Sequence, residues 1–237
     1  VTFESDYVEP RSRLTTFFRL ILAIPHIVVV TLYALLAYVV AFVAWFALVL
    51  TGRYPRGMYD FVAGFLRYQT RAYGYGHLLT DAYPPFTGAP EVDYPVRLNV
   101  GAPKERYSRL KALFRVVLAI PVYLILYAMQ IVAQIGALLA WFAIVVLGRQ
   151  PRGLQEMIVL GLSYQMRATA YLLLVTEDWP PFTDDGGTAR VGAPPAFGAL
   201  PADQAPPAAR ATGPAGGFDA PTPAPEDPAP PHGDPMR

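Results

Sequence analysis

At 237 residues the chain has room for one or two domains. It is 54% hydrophobic and only 16% charged, with a mean hydropathy of +0.31, too apolar for an ordinary soluble domain. The absence of cysteine excludes disulfides, thiolate catalysis and Cys-ligated metal, and a net charge of +1 supplies no basic face for nucleic acid.

The chain opens "VTFESDYVEP", without the basic and apolar regions of a cleavable signal peptide. An amphipathic helix follows. Leu14, Phe17, Phe18, Ile21 and Leu22 fall on one helical face, with Arg11, Thr15 and Arg19 opposite. Pro25 is expected to break or kink it, having no N–H to donate. His26–Leu50 then contains no Asp, Glu, Lys or Arg. At ~1.5 Å per residue it is roughly 37 Å long, more than the ~30 Å hydrocarbon core requires, and reads as a transmembrane helix. A link, "TGRYPRG", leads to an aromatic-rich helix over Met58–Leu79 that is expected at the membrane interface. "TDAYPPFTG" closes the segment, its two prolines fixing the chain in an extended form. "DYPVRLNV" alternates as a short strand, with "VTFES" as its partner.

The text then repeats. At an offset of 96 residues Ser12–Thr87 aligns without a gap on Ser108–Thr183. "RLTTFFRLILAIP" pairs with "RLKALFRVVLAIP", "AWFALVLTGRYPRG" with "AWFAIVVLGRQPRG", and "YPPFT" with "WPPFT". Pro121, the apolar stretch Val122–Leu147 and the helix Leu154–Val175 are the second set of elements. Two copies are too few for a solenoid, and a pair of related membrane units is the better description. The expected fold is therefore an all-α integral membrane protein of two tandem units, 1–92 and 93–186. Each unit holds an amphipathic helix, a proline break, a transmembrane helix and an aromatic-rich interfacial helix. Residues 187–237 hold 13 of the 25 prolines and only Val191 and Leu200 as large aliphatics, so they read as a disordered Pro/Ala-rich tail.

Three topologies remain open. A single crossing per unit would invert the two units and put Gly52–Pro121, with ten Lys/Arg, in the cytoplasm. Four crossings would make the aromatic helices spans as well. A hairpin would turn back near Tyr33, where "VVVTLYALLAYVV" offers no turn residue.

Candidate contacts follow from residue type. Arg53, Arg56, Arg149 and Arg152 sit just past the apolar segments, where guanidinium groups can fork two hydrogen bonds to a lipid phosphate. Ala37, Ala41 and Ala44, with Ala133, Ala137 and Ala140, form small-residue faces for packing of the two spans or for a dimer. Gln130 and Gln134 share a face and need intramembrane partners, for which Thr31, Tyr33 and Tyr38 are candidates. Trp45, Trp141, Tyr83, Phe86, Trp179 and Phe182 are placed as interfacial anchors. "YQ-x-RA" (Tyr68, Gln69, Arg71 and Tyr164, Gln165, Arg167) reads as a headgroup contact or as docking on the other unit.

No nucleophile–base arrangement, phosphate loop or paired histidines appear, so no enzyme, cofactor or metal is expected. With both units in view, "RLTTFFRLILAIPH", "AWFALVLTGRYPRG" and "YPPF" resemble a bacterial membrane family of the domain of unknown function 4389 type. The second unit departs from it, with Val122 at the His26 position and Trp179 at the Tyr83 position. The resemblance implies a bacterial membrane protein, multi-pass in the cell membrane, and contributes no activity or ligand. The expected function is a non-catalytic membrane scaffold or accessory protein. It would contact the bilayer, and a protein partner through the tail or middle segment, with a homo-oligomer possible. Lipid or small-molecule handling, or membrane shaping by the amphipathic segments, are the alternatives.

Overall fold

The structure, a computed structural model, describes residues 1–7, 11–181 and, as backbone, 189–191. Ser12 starts α1 (Arg13–Phe17) by accepting a hydrogen bond from the Thr15 N–H, as a serine N-cap does. Phe18 leaves the helical conformation, and α2 then runs unbroken over 33 residues, Arg19–Thr51, about 50 Å at 1.5 Å per residue. The proline break expected at Pro25 thus falls at Phe18. Pro25 withholds only one hydrogen bond, to the Ile21 carbonyl, and the helix continues through it. Gly52 ends α2 in the left-handed region at φ 71°, where glycine carries no steric penalty. After three linking residues α3 (Arg56–Gly76) folds back along α2.

The second unit repeats each step. Ser108 caps α4 (Arg109–Leu113), Phe114 makes the break, and α5 (Arg115–Leu147) passes through Pro121 to a left-handed Gly148. The chain then returns in α6 (Arg152–Leu172). Neither long helix turns back near its middle, so no hairpin forms at Tyr33.

Strand β1 (Thr2–Ser5) pairs antiparallel with β2 (Val96–Asn99), Phe3 opposite Leu98, as the two alternating stretches suggest. A third strand, β3 (Ala189–Val191), lies parallel on the other edge of β1. The expected fold class is corrected twice here. A small sheet joins the helices, and three residues assigned to the tail belong to it. The rest of the expected disordered tail lies outside the described residues, as does Phe182.

The layers follow from the contacts. Helices α2 and α5 pack on α3 and α6, which pack on each other and carry the sheet, β2 on α3 and β1 with β3 on α6. The two short helices cross over: α1 lies on α5 and α4 on α2. Each long helix thus starts beside the end of the other, so α2 and α5 run antiparallel in an approximate two-fold arrangement. They do not touch each other.

This placement corrects the interfacial reading of α3 and α6. Both are buried along most of their length, because small residues admit close neighbours. A Cβ on Gly74 would come within 2.8 Å of the Val96 side chain, and one on Gly161 within 2.6 Å of the Met129 carbonyl. Among the described residues only α2 and α5 are long and apolar enough to cross a membrane.

Candidate functional site

The outward surface of α2 is set by its sequence period. Arg19, Ala23, His26, Val30, Ala37, Ala41, Ala44 and Leu48 recur every three, four or seven residues and form the one buried stripe. On the opposite arc Leu20, Ile24, Leu35, Phe42 and Leu50 are 53–76% exposed. Helix α5 repeats the pattern, with Val116, Ile120, Leu124, Tyr127 and Val146 outward. No charged side chain interrupts either helix after Arg19 or Arg115. Two continuous apolar faces of this size need a cover that the fold itself does not supply.

The inward side is mostly apolar, with a buried arginine at the start of each long helix. Arg19 is buried and donates to the Tyr75 carbonyl at 2.9 Å and to the Thr80 carbonyl, pairs with Asp81, and lies 4.5 Å over the Tyr75 ring. Arg115, its repeat equivalent, donates to the Tyr171 and Thr176 carbonyls and lies 3.7 Å over the Tyr171 ring. Each guanidinium thus adds a charged donor to carbonyls at and just past the end of the returning helix, where the chain turns through a left-handed leucine, Leu78 or Leu174. The acid that follows also caps the short helix: Asp81 accepts from the Ser12 N–H and Glu177 from the Ser108 N–H. These two clamps escape a sequence reading that assigns Arg19 and Arg115 to a solvated face. The available signal is their equal spacing from Thr80 and Thr176.

In the first unit His26 Nδ1 meets the Tyr68 hydroxyl at 2.8 Å, and its ring stacks on Phe86 at 4.3 Å with the tilted Tyr83 ring 4.6 Å away. The "YPPF" rings therefore fold back on α2, while Tyr83 and Phe86 remain about half exposed. Trp179 contacts Tyr171 edge-on in the second unit.

Trp45 and Trp141 hold the crossed short helices. The Trp45 indole donates to the Ala112 carbonyl at 2.9 Å and Trp141 to the Thr16 carbonyl at 3.2 Å, each bonding a residue of the other unit. Arg71 is buried and donates to the Ala89 and Thr87 carbonyls, so it fastens its own loop to α3 and does not dock on the other unit. Desolvation lowers the Arg71 pKa from its ordinary value. Arg167 instead bonds back to Ser163 within α6.

The alanine faces are inside the chain. Ala37, Ala41 and Ala44 are buried on the side of α2 that meets α3 and α4, and Ala133 and Ala140 on the side of α5 that meets α6, with Ala137 half-buried. They do not join the two long helices to each other. Gln130 is half-buried and Gln134 exposed, without the expected partners: Thr31 bonds to the Ile27 carbonyl and Tyr33 to the Phe61 carbonyl.

The four flanking arginines separate into two junctions. At the first, Arg53 and Arg56 are exposed and meet Lys104, Arg106 and Arg109. At the second, Arg13 packs against Gly148 and Arg152 lies 5.1 Å over the Tyr7 ring, with Arg149 exposed nearby.

A duplicated helical protein with two long apolar faces, backed by an inner pair of helices that carry a small sheet, is the class that this arrangement defines. A family model for the domain of unknown function (DUF4389) matches residues 13–88 and again residues 109–184. The chain belongs to that family, with two domains in tandem. Neither the curated proteins nor the solved structures contain a match.

Proposed function

We propose that the chain is an integral membrane protein whose α2 and α5 lie sunk in one leaflet, and that it acts there as a non-catalytic scaffold. One observation carries this reading. The apolar arcs of α2 and α5 face away from a layer whose charges stand level with the middle of the helices. Tyr33, near the centre of α2, bonds to α3 at Phe61, next to the exposed Asp60, and the half-buried Arg67 of the same helix donates to the Val100 carbonyl. If α2 stood upright across a bilayer, these groups would sit at hydrocarbon depth, at a cost of about 3 kcal/mol or more for each exposed charge. Lying in the plane, the helices meet lipid on one side and the polar layer keeps its water. Their length of about 50 Å, against a core of about 30 Å, agrees with this orientation.

Multi-pass crossing is the second reading, favoured by 33 residues without a charge in the bilayer-facing arc. The bacterial cell membrane is the location that the family resemblance implies. The scaffold role rests on the extent of the outward apolar surface and on the use of the buried arginines Arg19, Arg71 and Arg115 in holding the fold. Full-length protein solubilised from its own membrane tests it. A scaffold retains one protein partner in near-equal molar amount. Recovery with a defined lipid and no such partner would overturn it in favour of lipid handling.

A further inference from the structure

We infer that the first junction is a binding site for a phosphate group. The proposal deepens the membrane reading where that phosphate belongs to a lipid headgroup. The turn at Gly52 is fixed on both sides: the Thr51 hydroxyl accepts from the Arg53 N–H at 3.2 Å, and the Tyr107 N–H donates to the Gly52 carbonyl at 2.8 Å. The second bond draws the lead-in to the second unit against the end of α2. Arg53, Arg106 and Arg109 then line one groove of about 400 Å³, and an adjoining groove shares Arg53 and adds Arg56 and Lys104.

Charge balance makes this groove unusual. Arg53, Arg56 and Arg106 are exposed, and their guanidinium groups have no hydrogen-bond or ion-pair partner among the described residues. Arg109 makes a single 3.4 Å bond to the Thr51 carbonyl. Lys104 is drawn to Glu177 and Asp178 at 3.5 and 3.7 Å, and Glu105 is the one acid lining either groove. Unpaired guanidinium groups converging on a fixed turn suit a tetrahedral dianion or diester, which accepts forked hydrogen bonds from several directions. The rim beside the groove is apolar, with Leu50, Leu110 and Leu113 exposed by 71%, 65% and 48%. A phosphate held here has acyl-chain surface next to it.

The duplication supplies its own control. The second junction has Arg149, Arg152 and Arg13 in the places of Arg53, Arg56 and Arg109, and in the sequence register of the repeat Arg106 and Lys104 correspond to the uncharged Pro10 and Val8. Arg13 lies over Gly148 much as Arg109 lies over Gly52, whereas Arg152, unlike Arg56, is stacked on a ring, that of Tyr7. Among the described residues this junction holds three cations against five at the first.

The test uses the full chain in zwitterionic micelles with two probes, an anionic phospholipid added to the micelle and inorganic pyrophosphate in the buffer. The expected result is saturable binding that R53Q/R106Q weakens roughly tenfold or more, the scale of one forked charge-assisted contact. R53K/R106K, which keeps the charge and loses the fork, falls between, and R149Q/R152Q binds like the parent. Phospholipid binding without pyrophosphate binding assigns the site to a headgroup, and pyrophosphate binding alone to a free phosphate compound. If neither probe binds better to the parent than to R53Q/R106Q, with unchanged helical circular dichroism, the proposal fails. It also fails if R149Q/R152Q loses as much. The membrane reading is tested separately by topology, so either can fall without the other.

Discussion

In the first hairpin the Tyr33 ring stands edge-on to Phe61 and Phe65, 5.1 and 5.4 Å away. In the second, the same three positions are Met129, Met157 and Gly161. The α5–α6 contact is made by approach and not by rings. Gly136 leaves room for Ile158, and Gly161 admits the backbone of Met129 and the methyl of Ala133. Both hairpins keep the buried arginine, the left-handed leucine and the glycine turn, so the clamps define the fold and the helix–helix filling can vary. Volume lost at one position is recovered by closer backbones.

That comparison is broken most sharply at Gly161. Gly161→Ala forces its methyl to within 2.6 Å of a carbonyl oxygen and 2.7 Å of the Ala133 Cβ, neither a flexible chain end. We expect about 2–3 kcal/mol of lost stability by chemical denaturation in mixed micelles, in line with overpacked cores. Gly64→Ala in the first hairpin meets the movable Tyr33 hydroxyl at 2.9 Å and should cost less. Equal losses would mean that the two hairpins are packed alike.

Next comes His26→Val, which installs the second unit's own residue. It removes the 2.8 Å bond to the Tyr68 hydroxyl and the stack on Phe86. A loss of about 1–2 kcal/mol is expected, with Tyr68→Phe non-additive to it in a double-mutant cycle. An additive pair would show that the ring contact, and not the hydrogen bond, matters.

Trp45→Phe and Trp141→Phe sharpen the two-fold itself. Each deletes one indole bond to the opposite unit, so each should cost about 1 kcal/mol, and by similar amounts. The smallest effect belongs to the caps. Ser12→Ala and Ser108→Ala each remove one side-chain acceptor from a five-residue helix, worth about 0.5–1 kcal/mol. A marked difference between the two would break the equivalence of the junctions.

Much of this was legible in the sequence. The 96-residue offset, the apolar helices and the β1–β2 pair follow from period and repetition alone. The break at Phe18 was not, because Pro25 is the stronger local signal and the clamp on Arg19 acts through residues 56 or more positions away. Burial of α3 was hidden for a related reason. Asp60 and Arg67 mark an outer edge, but Arg71 looks equally solvated until the Thr87–Ala89 loop is seen to cover it. The basic groove was half visible: Arg53 and Arg56 follow the apolar run, whereas Arg106 and Arg109 reach them only through the crossed packing of α4.

The central claim is that both ends of α2 and α5 face the same side of the membrane. Gly57 and Gly153 open α3 and α6 at opposite ends of the long-helix pair, and a Cβ at either meets nothing within 4 Å. The native chain has no cysteine, so Gly57→Cys and Gly153→Cys report without background in intact cells. With a membrane-impermeant thiol reagent the account predicts the same labelling at both, from one side only. Labelling of one and protection of the other, reversed when the membrane is opened, would contradict it and establish that the helices cross.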